Sequence, residues 1–234
     1  MSDTRNIRLK LLGGWDLTLD GSPLVIGDRQ QRLVAALAIY GKRRRSFLSG
    51  LLWPECSDAH AMGSLRAAVF TAVRRVPGLL VCDGHDLSLD GEVDVDLHRL
   101  RTDLLDVASG GPATDVEWFT SACHADLLPG WYDDWVVAEQ QRVQDLYLNA
   151  SERLAQLSLE RNDRFGAVQL ARVIVEVDAT RESAVHVLVE AYMAMGNDAT
   201  ALKVYRRYTR ALEEELGVHP APHLRRLVAP LLNG

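Results

Sequence analysis

The stretch SDAHAMGSLRAAVFTAVRRV, Ser57–Val76, has the period of a helix: Ala61, Leu65, Ala68, Val69, Ala72 and Val76 fall on one stripe, and Ser57 or Asp58 stands where an N-cap belongs. One face is thereby committed to a core. The opposite face carries His60, Gly63, Ala67, Phe70 and Arg74, flanked by Arg66, Thr71 and Arg75, a mixture of small and cationic groups with almost no acid. Such a face suits an anionic partner. Between Arg29 and Arg75 the cations are Arg29, Arg32, Lys42, Arg43, Arg44, Arg45, Arg66, Arg74 and Arg75, and the only acids are Glu55 and Asp58.

The cations are concentrated locally in a chain of net charge −6 and pI near 5.6. Residues 1–100 hold 13 Lys/Arg and 12 Asp/Glu, and the remainder holds 13 against 20. The first part can approach phosphates; the second would be repelled by them. With 234 residues and 47% hydrophobic content, two ordinary domains are expected. Three cysteines, Cys56, Cys82 and Cys123, show no paired metal-ligand spacing, which suits a reducing cytoplasm. The opening MSDTRNIRLK lacks the apolar run of a signal peptide, and no run of some eighteen apolar residues occurs. A cytoplasmic chain without a membrane partner is expected.

Upstream of the deciding stretch, Ile7, Leu9 and Leu11, then Trp15, Leu17 and Leu19, alternate with polar residues at strand period. Asp20-Gly21-Ser22-Pro23 reads as a turn into a short strand Leu24-Val25-Ile26. Asp28, with Gln31 three residues on, suits the start of a helix carrying Leu33, Val34, Leu37 and Tyr40 and stopping at Gly41. The run Lys42–Arg45 reads either as a solvated loop or as part of a cationic surface. Ser46 is placed to cap a short helix with Leu48, Leu51 and Leu52 inward, stopped by Trp53-Pro54. Together with Ser57–Val76 it makes a helix-turn-helix. Downstream, Leu79–Cys82 and Leu87–Leu89 flank Asp83-Gly84-His85-Asp86, a hairpin pattern with His85 near its tip. Sheet, helix, helix-turn-helix and hairpin describe a winged helix. His85 could touch the DNA backbone there, opposed by Asp83 and Asp86.

From Val93-Asp94-Val95-Asp96 onward the pattern becomes helical. Leu97, Leu100, Leu104 and Leu105 lie on one helix that Gly110-Gly111-Pro112 breaks. Helices are expected over 116–123, from Asp133 or Asp134 to Glu160 with Val136, Val143, Leu146, Tyr147, Ala150, Leu154 and Leu157 inward, and over 163–177, 181–195, 199–216 and 222–232. At an offset of 34, Asn162-Asp163 meets Gly196-Asn197, Ala167-Val168 meets Ala201-Leu202, and Leu170 meets Val204, the period of tetratricopeptide-type helix pairs. The expected fold is an α+β winged helix-turn-helix over residues 1–92, followed by an all-α tetratricopeptide-like repeat domain over residues 93–234.

LLWPE (Leu51–Glu55), SLRAAV (Ser64–Val69), VDVDLHRL (Val93–Leu100), LLPGWYDDWVVAEQQRVQDLYLNASERLAQL (Leu127–Leu157), AYMAMGNDATALKVYRRY (Ala191–Tyr208) and EELGVHPAP (Glu214–Pro222) closely resemble the Streptomyces antibiotic regulatory protein family. PGWYDDWVVAEQQR and EELGVHPAP are its most specific parts and look like the bacterial transcriptional activator domain. The resemblance implies an OmpR-type winged helix joined to a tetratricopeptide-like domain. It also implies transcriptional activation, commonly of secondary-metabolite clusters, by paired subunits that bind promoter direct repeats and contact RNA polymerase. No GxxxxGK[ST] phosphate loop occurs, as in the family's short form.

On this reading Arg66, Arg74 and Arg75 are candidates for phosphate or guanine contacts, while His60, Ser64 and Thr71 supply short hydrogen bonds. Lys42, Arg43, Arg44, Arg45 and His85 complete the candidate DNA-binding set. Gly63, Ala67, Phe70, Ala72 and Val73 leave few polar groups for reading bases, so phosphate binding is better supported than base readout. Blander roles stand beside these: an internal salt bridge for Arg66, and packing under the wing or against a second subunit for Phe70. Trp131, Tyr132 and Trp135 are read as interface anchors rather than a ligand pocket. Asp94 and Asp96 read as a strand end and a cap rather than a metal pair. No nucleophile or acid/base constellation, cofactor motif or metal-ligand spacing is found, so catalysis is not expected. An interaction scaffold whose winged helix no longer binds DNA is the alternative.

Overall fold

Strand β1 (Ile7–Lys10) pairs antiparallel with β2 (Asp16–Leu19), Leu9 opposite Leu17, in the computed structural model, which describes residues 6–111 and 115–232. Ile7, Leu9 and Leu17 are buried, so the strand alternation does place one apolar face inward. The third strand is not Leu24–Ile26. It is β3 (Ser22–Pro23), pairing with Thr18 and Leu19. Pro23 lacks an N–H and fits because β3 lies at the sheet edge.

Helix α1 (Asp28–Tyr40) starts after Gly27, with Asp28 as its first residue rather than its cap, and the Gln31 side chain donates to the Ile26 carbonyl. It ends at Gly41 as expected. Arg43–Arg44 form a two-residue strand, β4, and α2 (Arg45–Leu52) follows directly, so Ser46 lies inside the helix instead of capping it. Helix α3 (Asp58–Arg75) buries Ala61, Leu65, Ala68, Val69 and Ala72, and packs on α1 and α2. Strands β5 (Leu80–Asp83) and β6 (Asp86–Leu89) form the wing, and β4 joins it in the order β4-β6-β5, Arg44 opposite Asp86. Gly84 opens the two-residue turn at φ +56°, a conformation glycine adopts without a Cβ penalty.

Strand β7 (Asp94–Val95) returns to the first sheet and lies parallel to β1, giving the order β3-β2-β1-β7. Asp96, first residue of α4 (Asp96–Ala108), accepts from the amides of Leu11 and Leu12 at 2.9–3.1 Å and from Leu97 at 2.7 Å. It caps backbone that the strand leaves unpaired. Burial raises its carboxyl above the ordinary 3.8, and the three amides oppose that shift.

Contacts divide the chain into two units, one from the described residues of Met1–Thr102 and Asp115–Val143, the other from those of Asp103–Thr114 and Gln144–Gly234. In the first, α5 (Val116–Cys123) is followed by a segment that docks by Leu128 N–H donating to the Leu11 carbonyl, Trp131 stacking on Trp15 at 6.0 Å, and Arg32 paired with Asp133 at 2.5 Å. Trp135 is buried near Tyr40, whereas Tyr132 is 86% exposed. The two tryptophans therefore anchor, and Tyr132 does not. Helix α6 (Asp134–Glu160) has the expected length, but its buried positions include Leu148, Ser151 and Ala155, with Leu154 and Leu157 only half-buried.

The second unit continues with α7 (Arg164–Val177), α8 (Glu182–Ala194), α9 (Asp198–Leu216) and α10 (Pro222–Leu232). The 34-residue offset is a structural register. Asn162 and Gly196 both take left-handed φ, the side chains of Asp163 and Asn197 cap α7 and α9, and Ala167 and Ala201 are both fully buried. Ala155, Ala167, Ala171 and Ala191 share one core with Val187 and Leu188, and these small residues let the helices approach closely. The helix break at Pro112 and the terminal segments 1–5 and 233–234 lie outside the described residues.

Candidate nucleic-acid interface

Helix α3 and the wing carry the cations the sequence singled out. His60, Arg66, Arg74 and Arg75 are exposed along α3, with Ser64 and Thr71 half-buried at its edges. The i, i+4, i+7, i+11 spacing of Gly63, Ala67, Phe70 and Arg74 puts them on one outward stripe. Phe70 is 66% exposed, so it does not pack under the wing. Arg66 makes no ion pair with the described residues, and neither do Arg44 and Arg74. Arg75 Nη1 donates to the Val25 carbonyl at 3.3 Å; a guanidinium has five donors, so most of its capacity stays outward.

The cationic run is divided by its position on the wing. Lys42 Nζ sits 2.8 Å from Asp83 and 3.8 Å from Asp86. The hydrogen bond and charge of each hold the Lys42 ammonium above, and the Asp83 carboxyl below, their ordinary values. Arg43 lies 5.8–6.0 Å from the Phe47 and Tyr40 rings, within cation–π range. Arg45 is tied to the turn through its N–H on the His85 carbonyl at 2.8 Å. His85 stands exposed at the tip.

An open groove of about 650 Å³ runs between these elements, lined by Arg44, Arg45, Ser46, Met62, Arg66, Asp83, His85 and Asp86. Two of its carboxylates are those that Lys42 engages, which lessens their opposition to an incoming phosphate. The structure thus brings Arg44, Arg45, Arg66 and His85 to one groove and leaves Arg74 and Arg75 at the far end of α3. Sequence reasoning passed over Met62; its one signal is its place on the half-buried edge of α3 beside Gly63. A helix fits the roughly 12 Å width of a DNA major groove, and flanking cations suit the phosphates on either side. Among the described residues no group of three or more His, Cys, Asp or Glu is arranged to hold a metal ion, and no helix is long and apolar enough to cross a membrane.

Residues 117–232 match the bacterial transcriptional activator domain family. Over 97% of its length the chain is 29% identical to regulatory protein AfsR of Streptomyces coelicolor, covering 24% of that protein. Over 93% it is 25% identical to transcriptional regulatory protein EmbR of Mycobacterium tuberculosis, covering 61% of that one. The chain thus spans about a quarter of the first relative and three fifths of the second. Its fold is similar to the solved structure of M. tuberculosis EmbR in complex with a low-affinity phosphopeptide, with a TM-score of 0.75 and 22% identity over 98% of this chain and 65% of that one.

Proposed function

We infer that the chain is a transcriptional regulator of the Streptomyces antibiotic regulatory protein family, not an enzyme, and acts as a sequence-specific DNA-binding activator; the activator-domain match and the likeness to AfsR support this. Residues 1–92 grip promoter DNA, with α3 in the major groove and the wing on the adjacent backbone. Residues 93–234 hold a second subunit on a direct repeat and receive RNA polymerase. The regulated genes are those of a secondary-metabolite pathway, and the protein works in the cytoplasm.

The observation that carries this reading is the exposed ridge of Arg44, Arg66 and Arg74, guanidiniums that no described carboxylate neutralises in a chain of net charge −6. Such a ridge creates a local positive field on an acidic molecule. Arg43, Arg45, Arg75, His60, Ser64, Thr71 and His85 complete the proposed contact set, while Lys42 acts through the wing carboxylates it engages. The test is retention of the duplex upstream of its own gene by the full chain over a salt series. Steeply salt-dependent binding that disappears when Arg74 and Arg75 are both replaced by alanine, at unchanged melting temperature, supports the reading. Salt-insensitive binding or none rejects it.

The exposure of Phe70 and Val73 on the same helix favours one second reading. An apolar patch there suits a protein partner, and the chain would then be an interaction scaffold. Specific duplex retention decides between the two.

A further inference from the structure

The stripe of α3 that would face DNA has a large apolar side chain at its centre. Phe70 is 66% exposed, the adjacent Val73 is 41% exposed, and Arg66 and Arg74 stand one turn to either side of Phe70. Leaving a phenyl ring in water has a free-energy cost that burial against another apolar group would recover. Toward its N-terminus the stripe is low: a Cβ built on Gly63 meets nothing within 4 Å, and Ala67 is exposed. No packing demand inside the protein accounts for Gly63 being small. Glycine and alanine there let the helix backbone approach a surface closely, and from Gly63 to Arg74 the stripe runs about 16 Å, the length of some five base pairs.

Each base pair shows the major groove a fixed set of donors and acceptors, and only thymine adds a methyl group. We propose that Phe70 is a specificity-determining residue that packs on thymine 5-methyl groups in the major groove, so that α3 selects T-bearing steps by apolar contact while Arg66 and Arg74 hold the flanking phosphates. The proposal rests on the DNA-binding reading above. It accounts for a recognition helix with few polar side chains: the readout uses the one apolar mark that DNA bases carry. The charge around the ring favours this occupant over a protein partner, because an apolar patch bordered by unpaired guanidiniums complements a polyanion.

The full chain is used to enrich a duplex from a random-sequence pool, and that duplex is resynthesised with deoxyuridine replacing each thymidine in turn, which removes only the methyl. The wild type is expected to bind about fourfold more weakly at one or two positions, the value of one buried methyl. Phe70→Ser should bind the thymidine duplex more weakly and no longer distinguish the two probes, with an unchanged melting temperature because the side chain is exposed. Arg74→Ala should weaken both probes alike and keep their ratio. Equal wild-type affinity for every thymidine and deoxyuridine pair overturns the proposal while leaving DNA binding intact, and that measurement needs no variant to fold. A Phe70→Ser protein that loses affinity for both probes but keeps their ratio also overturns it and makes Phe70 a contact between subunits. Failure to enrich any duplex rejects the DNA-binding reading itself.

Discussion

Lys42 Nζ lies 2.8 Å from Asp83 Oδ2, so the first cation of the run Lys42–Arg45 is engaged by the wing that a purely local reading would have it assist. Arg44, two residues on, has no such partner among the described residues. If each free guanidinium displaces one counterion from DNA, Arg44→Ala and Arg74→Ala should each lower the slope of log Kobs against log salt by about one. Lys42→Ala should leave the slope unchanged. Fluorescence anisotropy on one duplex over a salt series reads all three, and an equal drop for Lys42→Ala would count against the division of labour within the run.

Asp96 connects the start of α4 to the end of β1 through the amides of Leu11 and Leu12. Asp96→Ala leaves two partly buried donors unpaired and is expected to cost about 3 kcal/mol in urea denaturation. Burial raises the native carboxyl above 3.8, so the folded state binds this proton more tightly than the unfolded chain does. Its contribution therefore favours folding at low pH and is lost as pH rises through the raised value. The stability difference between wild type and Asp96→Asn should shift toward the wild type as pH falls. A pH-independent difference would show that Asp96 titrates as it does in the unfolded chain.

What the sequence made legible was what repeats locally. The α3 stripe, the Asp83–Asp86 hairpin and the 34-residue offset all rest on periodicity or turn chemistry, and each appears in the structure at the expected residues. The strand Arg43–Arg44 was not legible, because two residues are too short to carry a period and a distant partner defines them; Asp94 was legible as a strand end, but its pairing with Arg8 was not. In α6 the expected Val136 and Ala150 are buried, but Glu139 and Ser151 are buried as well, polar residues that a search for apolar periodicity passes over. Pairings such as Trp15 with Trp131 and Arg32 with Asp133 join residues a hundred or more apart, and no local rule announces them. At the candidate interface the residue types were legible, while the engagement of Lys42 by the wing was not.

Glu182, in the first turn of α8, accepts at 2.8 Å both from the Tyr208 hydroxyl of α9 and from the Ala221 amide at the entry to α10. One carboxylate oxygen thus serves two elements. Glu182→Ala should destabilise the chain by about 2–3 kcal/mol, with Tyr208→Phe costing about 1 because the carboxylate keeps the Ala221 amide. Burial first, and the Glu182 hydrogen bond second, push the Tyr208 phenol above its ordinary 10.0. The stability this contributes is complete below pH 10.0 and is lost as pH rises beyond it. The wild type should therefore lose stability more steeply than Tyr208→Phe in alkaline denaturation, and parallel curves would argue against the assigned role.

The two repeat caps differ in quality, and the difference can be measured. Asp163 Oδ1 accepts from the Gly166 amide at 2.9 Å, whereas Asn197 Oδ1, 34 residues later, accepts from the Thr200 amide at 3.4 Å. The tighter cap uses an ionised acceptor at a helix N-terminus, where the dipole favours negative charge. It also closes over glycine at its third position, where a Cβ on Gly166 would fall 2.2 Å from Asp163 Oδ2 and make the carboxylate shift. Thr200 already has a Cβ, and its cap is the longer one. Asp163→Ala should cost about 1 kcal/mol and Asn197→Ala distinctly less. Gly166→Ala gains helix propensity worth about 1 kcal/mol but breaks the Asp163 contact, so it should come out near neutral or destabilising, whereas the double variant Asp163→Ala with Gly166→Ala should recover stability relative to Asp163→Ala alone. Thermal unfolding of the four variants reads the cycle, and simple additivity would mean that Gly166 is not what allows the Asp163 cap to close.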